Sequence, residues 1–124
     1  METKQAKIEF EIPSVPPSVN HAYGQARYGR RYIKKAGKEF KATVTELFNR
    51  IDVPKELYTG RIKIKFIIYF GTRRKRDLDN CMKILWDSLE GNLFENDAQI
   101  DEYTVMRAYD KEQPRIQVFA ENIM

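Results

Sequence analysis

Four cations, two carboxylates and a lysine stand together in one short stretch: Arg73-Arg74-Lys75-Arg76, then Asp77-Leu78-Asp79-Asn80, then Lys83. In extended backbone, residues i and i+2 point the same way, so Asp77 and Asp79 can converge while Leu78 points into a core. Carboxylate oxygens are the hard ligands that Mg²⁺ takes, and Mg²⁺ completes its shell with water and substrate phosphate. A phosphodiester held by the four cations would lie beside that pair. One or two such ions could activate water and stabilise the leaving oxygen. Lys83 lies one helical turn beyond Asp79, where it could neutralise charge on a pentacoordinate phosphorus or orient the attacking water. Asp97 and Asp101 are candidates for a third acid if the following chain returns toward Asp77.

Each of these residues also has a plain structural reading. Asp77 is a sensible helix N-cap, and Asp79 would be favoured in a first turn by the helix dipole. Lys83 and Asp79 could form an ordinary i,i+4 ion pair, worth a few tenths of a kcal/mol. Cations without the acids would suggest binding alone, and acids without the cations would suggest only a cap. It is their adjacency that points to phosphodiester chemistry.

The elements that must position them are legible from periodicity. Residues 7–12 alternate polar and apolar, as a half-buried strand does. Pro13, Pro16 and Pro17 break it into a loop, and residues 28–33 are expected to form a short extended piece in or after that loop. From Ala36 to Ile51, Phe40, Val44, Leu47, Phe48 and Ile51 recur at helical spacing. Residues 61–70 alternate and then turn wholly apolar, which predicts a strand inside the sheet. Residues 78–90 read as a second helix, with Leu78, Cys81, Met82, Leu85 and Leu89 on the core arc. Its other arc carries Asp79, Lys83, Asp87 and Glu90, with Trp86 at the border. Residues 102–109 and 115–121 read as two further β segments joined by a turn near Lys111 to Pro114. The order β-α-β-α-β-β predicts an α+β fold, with a mixed or antiparallel sheet packed with two helices.

The chain has 124 residues, a length that suits one domain spanning 1–124. Cys81 is the only cysteine and His21 the only histidine. That excludes an intramolecular disulfide and multi-cysteine or histidine-rich metal sites, and it fits a reducing, cytoplasmic setting. Residues 1–10 carry Glu2, Lys4, Lys7 and Glu9, so no signal-peptide core is expected there, and no transmembrane stretch is expected. The net charge of +4 hides a sharp partition. Residues 27–41 hold Arg27, Arg30, Arg31, Lys34, Lys35, Lys38 and Lys41 against Glu39 alone, and residues 61–76 hold seven cations and no acid. The rest of the chain is therefore acidic. Two basic blocks of this kind read as a phosphate-tracking footprint, and Tyr28 and Tyr32, interleaved with the first, suit stacking on bases or sugars. Either block alone could equally be a solvated face.

Two segments resemble the RusA-type Holliday junction resolvases, crossover-junction endodeoxyribonucleases often carried by prophages. One is Ile12-Pro13-Ser14-Val15-Pro16-Pro17-Ser18-Val19-Asn20, similar to the family's N-terminal Pro-Pro-Ser-x-Asn loop. The other is the run from Arg73 to Asn80 with Lys83, followed by Asp97-Ala98-Gln99-Ile100. The resemblance implies that Asp77, Asp79 and Asp97 bind the metal and that Lys83 is the catalytic lysine. It implies Mg²⁺ as cofactor, with Mn²⁺ as a substitute. It also implies a homodimer that makes paired incisions across a four-way DNA junction, leaving 5′-phosphate and 3′-hydroxyl ends. DNA would be held by Arg27, Arg30, Arg31, Lys34 and Lys35, by Arg73, Arg74, Lys75 and Arg76, and by Asn20 and Asn80 beside the site. The chain departs from the family where a second acid often precedes the matched Asp97, since Asn96 stands there. Asp101 is then expected to be structural, or to support the metal's ligands from one step behind them.

Other readings predict different behaviour. A non-catalytic DNA-binding module would bind regardless of Mg²⁺ and yield no product. A nuclease of RNA, flaps or forks would use the same chemistry on another substrate. A module that binds an acidic protein surface leaves the Asp cluster unexplained.

Overall fold

Strict alternation builds the centre of the sheet. Ile62, Ile64, Phe66, Ile68 and Phe70 are all buried on one face, while Lys63 and Lys65 are exposed on the other. The computed structural model describes residues 5–26 and 29–123. Its four-stranded sheet has the order β1-β6-β4-β5, with β1 (Lys7–Ile12), β4 (Ile62–Phe70), β5 (Ile100–Tyr109) and β6 (Arg115–Asn122). β6 pairs antiparallel with both β1 and β4, and β4 pairs parallel with β5. A parallel pair needs a crossover, and α4 (Asp79–Leu89) supplies it. The sheet is mixed and β4 lies inside it, as the sequence predicts. The last two strands are not neighbours, because β4 inserts between them.

The helices form on the buried side. α4 turns Cys81, Met82, Ile84, Leu85 and Leu89 into the core, while Lys83 and Glu90 stay exposed, so the predicted arcs hold. α2 (Lys35–Phe48) buries Phe40 and Val44. It stops before the predicted Ile51: the N–H groups of Asn49 and Arg50 close tighter turns onto Glu46 and Leu47, and Ile51 packs on the core from beyond the helix. Gly37 explains how closely α2 approaches the preceding chain. A Cβ there would lie 2.6 Å from the Ala22 carbonyl oxygen and 2.8 Å from the Ile33 side chain.

Several short elements carry no periodic signal and are absent from the sequence reading. They are α1 (Val19–Ala22), β2 (Tyr23–Gln25), α3 (Lys55–Thr59) and a 3₁₀ turn over Asp97–Gln99. Of the extended piece expected over residues 28–33, only β3 (Arg31–Ile33) forms among the described residues, pairing antiparallel with β2; Gly29, at φ 78°, and Arg30 lie outside it. Arg27 and Tyr28 lie outside the described residues. Among the described residues, no helix is long and apolar enough to cross a membrane.

Phe66 is the keystone of this packing, fully buried on β4 with its ring 5.3 Å from that of Trp86, edge to face. Phe66→Ala is expected to lower unfolding free energy by about 3–5 kcal/mol. Urea denaturation checks this: the midpoint should fall sharply, and a wild-type midpoint would contradict the packing.

Candidate active site

β4 ends at Phe70, and the connection to α4 is pinned along the ends of β4 and β5. The Arg76 guanidinium sits 4.8 Å from the Phe70 ring centre and donates to Thr72 Oγ1 at 3.2 Å. Arg73 lies 4.4 Å over Tyr109, and Arg107 donates to the Arg76 carbonyl at 2.6 Å. None of the four cations Arg73 to Arg76 has an acidic partner among the described residues.

α4 then begins, with the Asp77 and Leu78 carbonyls accepting from Asn80 and Cys81. It starts on Leu78 with no side-chain cap. Asp77 and Asp79 are both exposed, and among the described residues no ion pair or side-chain hydrogen bond engages either carboxylate. The capping reading of Asp77 therefore finds no support in the geometry. Leu78 is helical and the Asp77 carbonyl accepts from Asn80, so residues 77–79 form a turn and not the extended backbone expected from the sequence. What the two acids offer a divalent cation is hard oxygen that no internal bond uses among the described residues.

Beside them opens a cleft of about 790 Å³. The loop Ser14–Ser18 and His21 line one wall, Ala36, Glu39, Phe40 and Thr43 of α2 another, and Arg74 to Asp77 with Asn80 and Cys81 a third. The Pro16-Pro17 loop and the stretch from Arg74 to Asn80, both part of the family resemblance, thus face one another. Asn20 is exposed, and its carbonyl accepts from Lys34 Nζ at 2.9 Å. Ser18 Oγ and His21 Nδ1 are 2.8 Å apart. Cys81 is buried, and that burial raises its thiol pKa against the opposing pull of Arg76 and Arg107. It is packing, as expected, and not a thiolate nucleophile.

Lys83 does not pair with Asp79. Its Nζ lies 3.3 Å from Asp87 Oδ2 and 4.9 Å from the centre of the Tyr23 ring. The Tyr23 hydroxyl donates to that same Asp87 oxygen, and Arg31 lies 5.9 Å from the ring centre. Burial first, then the bond and charge of Asp87, raise the Tyr23 pKa well above the usual phenol range, so the hydroxyl stays a donor. Tyr23 and Asp87 carried no assigned role in the sequence reading. Asp87 was visible as the next residue on the polar arc, but nothing in the sequence places Tyr23 against it.

Asp97 sits elsewhere. The parallel register aligns Ile62 with Ile100 and Phe70 with Tyr109, so the chain after α4 returns to the end of the sheet opposite Asp77. α4 has 11 residues and spans roughly 16 Å between Asp79 and the Asp97 end. The Asp97 N–H donates to Glu90 Oε1 at 3.3 Å. Asn96, in the place of the family's frequent acid, caps the 3₁₀ turn by accepting from the Ala98 N–H. Gln99 locks the loop, donating to the carbonyls of Leu57, Tyr58 and Gly60 and accepting from the N–H groups of Glu95 and Asn96. The return of Asp97 to Asp77 within one chain, expected from the sequence, does not occur. Among the described residues, no three His, Cys, Asp or Glu side chains gather to hold a metal ion. Asp101 pairs with Arg61, which holds its carboxyl below the usual range, in keeping with a structural role.

The basic blocks divide. Arg61 and Lys63 pair with Asp101 and Glu102, and Lys65 lies 5.8 Å over Phe119, so these three belong to the sheet end and its open face. From that block, Arg74, Lys75 and Arg76 line the cleft, while Arg73 lies over Tyr109. From the first block, Arg30 is exposed, Arg31 lies over Tyr23, Lys34 reaches Asn20, and Lys35 pairs with Glu39 at 3.9 Å.

A cleft lined by Arg74, Lys75 and Arg76, which lack acidic partners among the described residues, with the unengaged Asp77 on the same wall and Asp79 exposed two residues on, is equipment for handling a polyanion beside a hard cation. Residues 13–121 match the family model described as Endodeoxyribonuclease RusA. The chain is 34% identical over 103 residues, 82% of each chain, to a crossover junction endodeoxyribonuclease of Enterobacteria phage HK97. It is 32% identical over 93 residues to that of Shigella sonnei and 30% identical over 93 residues to that of Escherichia coli K12, in each case 74% of this chain and 76% of the relative. The chain belongs to the RusA family of endodeoxyribonucleases, which are DNA-cleaving hydrolases.

Proposed function

We propose that this protein is a Mg²⁺-dependent endonuclease, one domain over residues 1–124, that resolves four-way DNA junctions as a homodimer. Mn²⁺ would substitute. The observation that carries the reading is the unengaged Asp77 on one cleft wall with Arg74, Lys75 and Arg76, none of them paired with an acid among the described residues, and Asp79 exposed two residues on. The names of the relatives, crossover junction endodeoxyribonucleases, supply the substrate.

Asp77, Asp79 and Asp97 would hold the metal, which supplies water activation and charge neutralisation at phosphorus. Because Asp97 lies at the far end of the sheet, the set is completed in a dimer. β5 is an edge strand with unpaired backbone groups, and it exposes Tyr103, Met106 and Tyr109. Two copies joined antiparallel along β5 about a two-fold axis would set the start of one strand beside the end of the other. Asp97 of the partner subunit would then approach Asp77 and Asp79. Lys83 would face the phosphate as its charge builds. Arg27, Arg30, Arg31, Lys34 and Lys35, with Arg73 to Arg76, would track the DNA arms through phosphates, and Asn20 and Asn80 would meet the strand at the cleft.

Mapping nicks on a junction labelled in turn on each strand tests this. Paired nicks at symmetric positions, sealed by ligase because they carry 5′-phosphate and 3′-hydroxyl ends, are expected. Unpaired nicks, or equal cutting of matched duplex, would overturn it.

A further inference from the structure

Asp79, Lys83 and Asp87 form one stripe at i,i+4 spacing along α4. A helical side chain leans toward the N-terminus, and an acid one turn before a lysine makes the better pair. Lys83 on an isolated helix would therefore reach back to Asp79. In the structure it reaches forward to Asp87 instead, at 3.3 Å. The reason lies outside the helix. Tyr23, delivered by β2, donates its hydroxyl to Asp87 and sets its ring 4.9 Å from the Lys83 ammonium. The lysine is thus held from two sides by one carboxylate and one aromatic ring.

We propose that Asp87 and Tyr23 are positioning residues that clasp Lys83, hold its ammonium in one place on the α4 stripe, and keep it from pairing with Asp79. The clasp has two consequences. The catalytic lysine is fixed before DNA arrives, so less of its rotamer freedom remains to be lost on binding. The Asp79 carboxylate stays unneutralised and open to a cation. The proposal rests on the reading of Lys83 and Asp79 given above, and the test separates the two.

Asp87→Asn frees Lys83 to swing to Asp79. Cleavage is expected to slow roughly 10–100-fold, and the Mg²⁺ concentration for half-maximal rate to rise by a similar order. Junction affinity in EDTA and the melting temperature should stay near wild type. Lys83→Ala/Asp87→Asn should be no slower than Lys83→Ala, because Asp87 acts through the lysine. Tyr23→Phe, which keeps the ring and removes the hydroxyl, should show the same effects more weakly. A readout that needs neither metal nor DNA is the NMR signature of Lys83: its side-chain protons should be shifted upfield by the Tyr23 ring, and the shift should diminish in Asp87→Asn. An unchanged Lys83 signature with an unchanged rate in Asp87→Asn overturns the clasp. Full cleavage by Lys83→Ala overturns the underlying role of the lysine instead.

Discussion

Asp77→Asn is expected to abolish junction cleavage while leaving junction binding intact or tighter. Asp77 is exposed at the start of α4, next to Arg76, and no internal bond depends on its charge among the described residues. The substitution therefore should not disturb the fold, and equal melting temperatures would show that. On the proposed reading it replaces an anionic oxygen ligand of the metal by a neutral amide, in a site that would supply several kcal/mol to the transition state, so a loss of about a thousandfold or more is expected. Binding moves the other way, since one negative charge facing phosphate disappears. Cleavage rate and gel-shift affinity in EDTA, measured on the same preparation, check both. Cutting at a near wild-type rate would remove Asp77 from the set of ligands.

The second large effect is a rescue. Asp77→Asn and Asp97→Asn should each be inactive alone, and mixing them after subunit exchange should restore nicking of one strand per junction. In a mixed dimer whose sites each combine Asp77 of one subunit with Asp97 of the other, both lesions fall in one site and the second site is whole. If each site drew all its acids from one chain, both sites would carry a lesion and mixing would restore nothing. The prediction follows from the parallel register that puts Asp97 beside the start of β4 and Asp77 beyond its end. Strand-specific labelling of the junction checks it, with each variant alone as reference.

What could be read from the chain in advance follows a physical division. Segments long enough to show a period were legible. Residues 62–66 alternate and the run to Phe70 is apolar, and the strand lies inside the sheet; α4 buries the arc its sequence marks. Elements of three to five residues, such as α1, β2 and α3, show no period, so Tyr23 could not be placed. Local chemistry was legible too: Arg74, Lys75, Arg76, Asp77 and Asn80 do line one cleft with the Pro16-Pro17 loop. Questions of reach were not. Whether Asp97 meets Asp77 depends on which end of β5 the chain returns to, which the parallel pairing with β4 decides. Whether Lys83 pairs with Asp79 or Asp87 depends on a tyrosine some sixty residues earlier. Charge counting likewise misjudged Arg61 and Lys63, which acids one strand away neutralise.

The most direct measurement is cleavage of a labelled immobile four-way junction and its matched linear duplex, in Mg²⁺ and in EDTA. The account predicts paired nicks on the junction in Mg²⁺, none in EDTA, and none on the duplex in either. Tight junction binding with no product in Mg²⁺ or Mn²⁺ would contradict it and leave Asp77 and Asp79 as surface acids at the start of a helix.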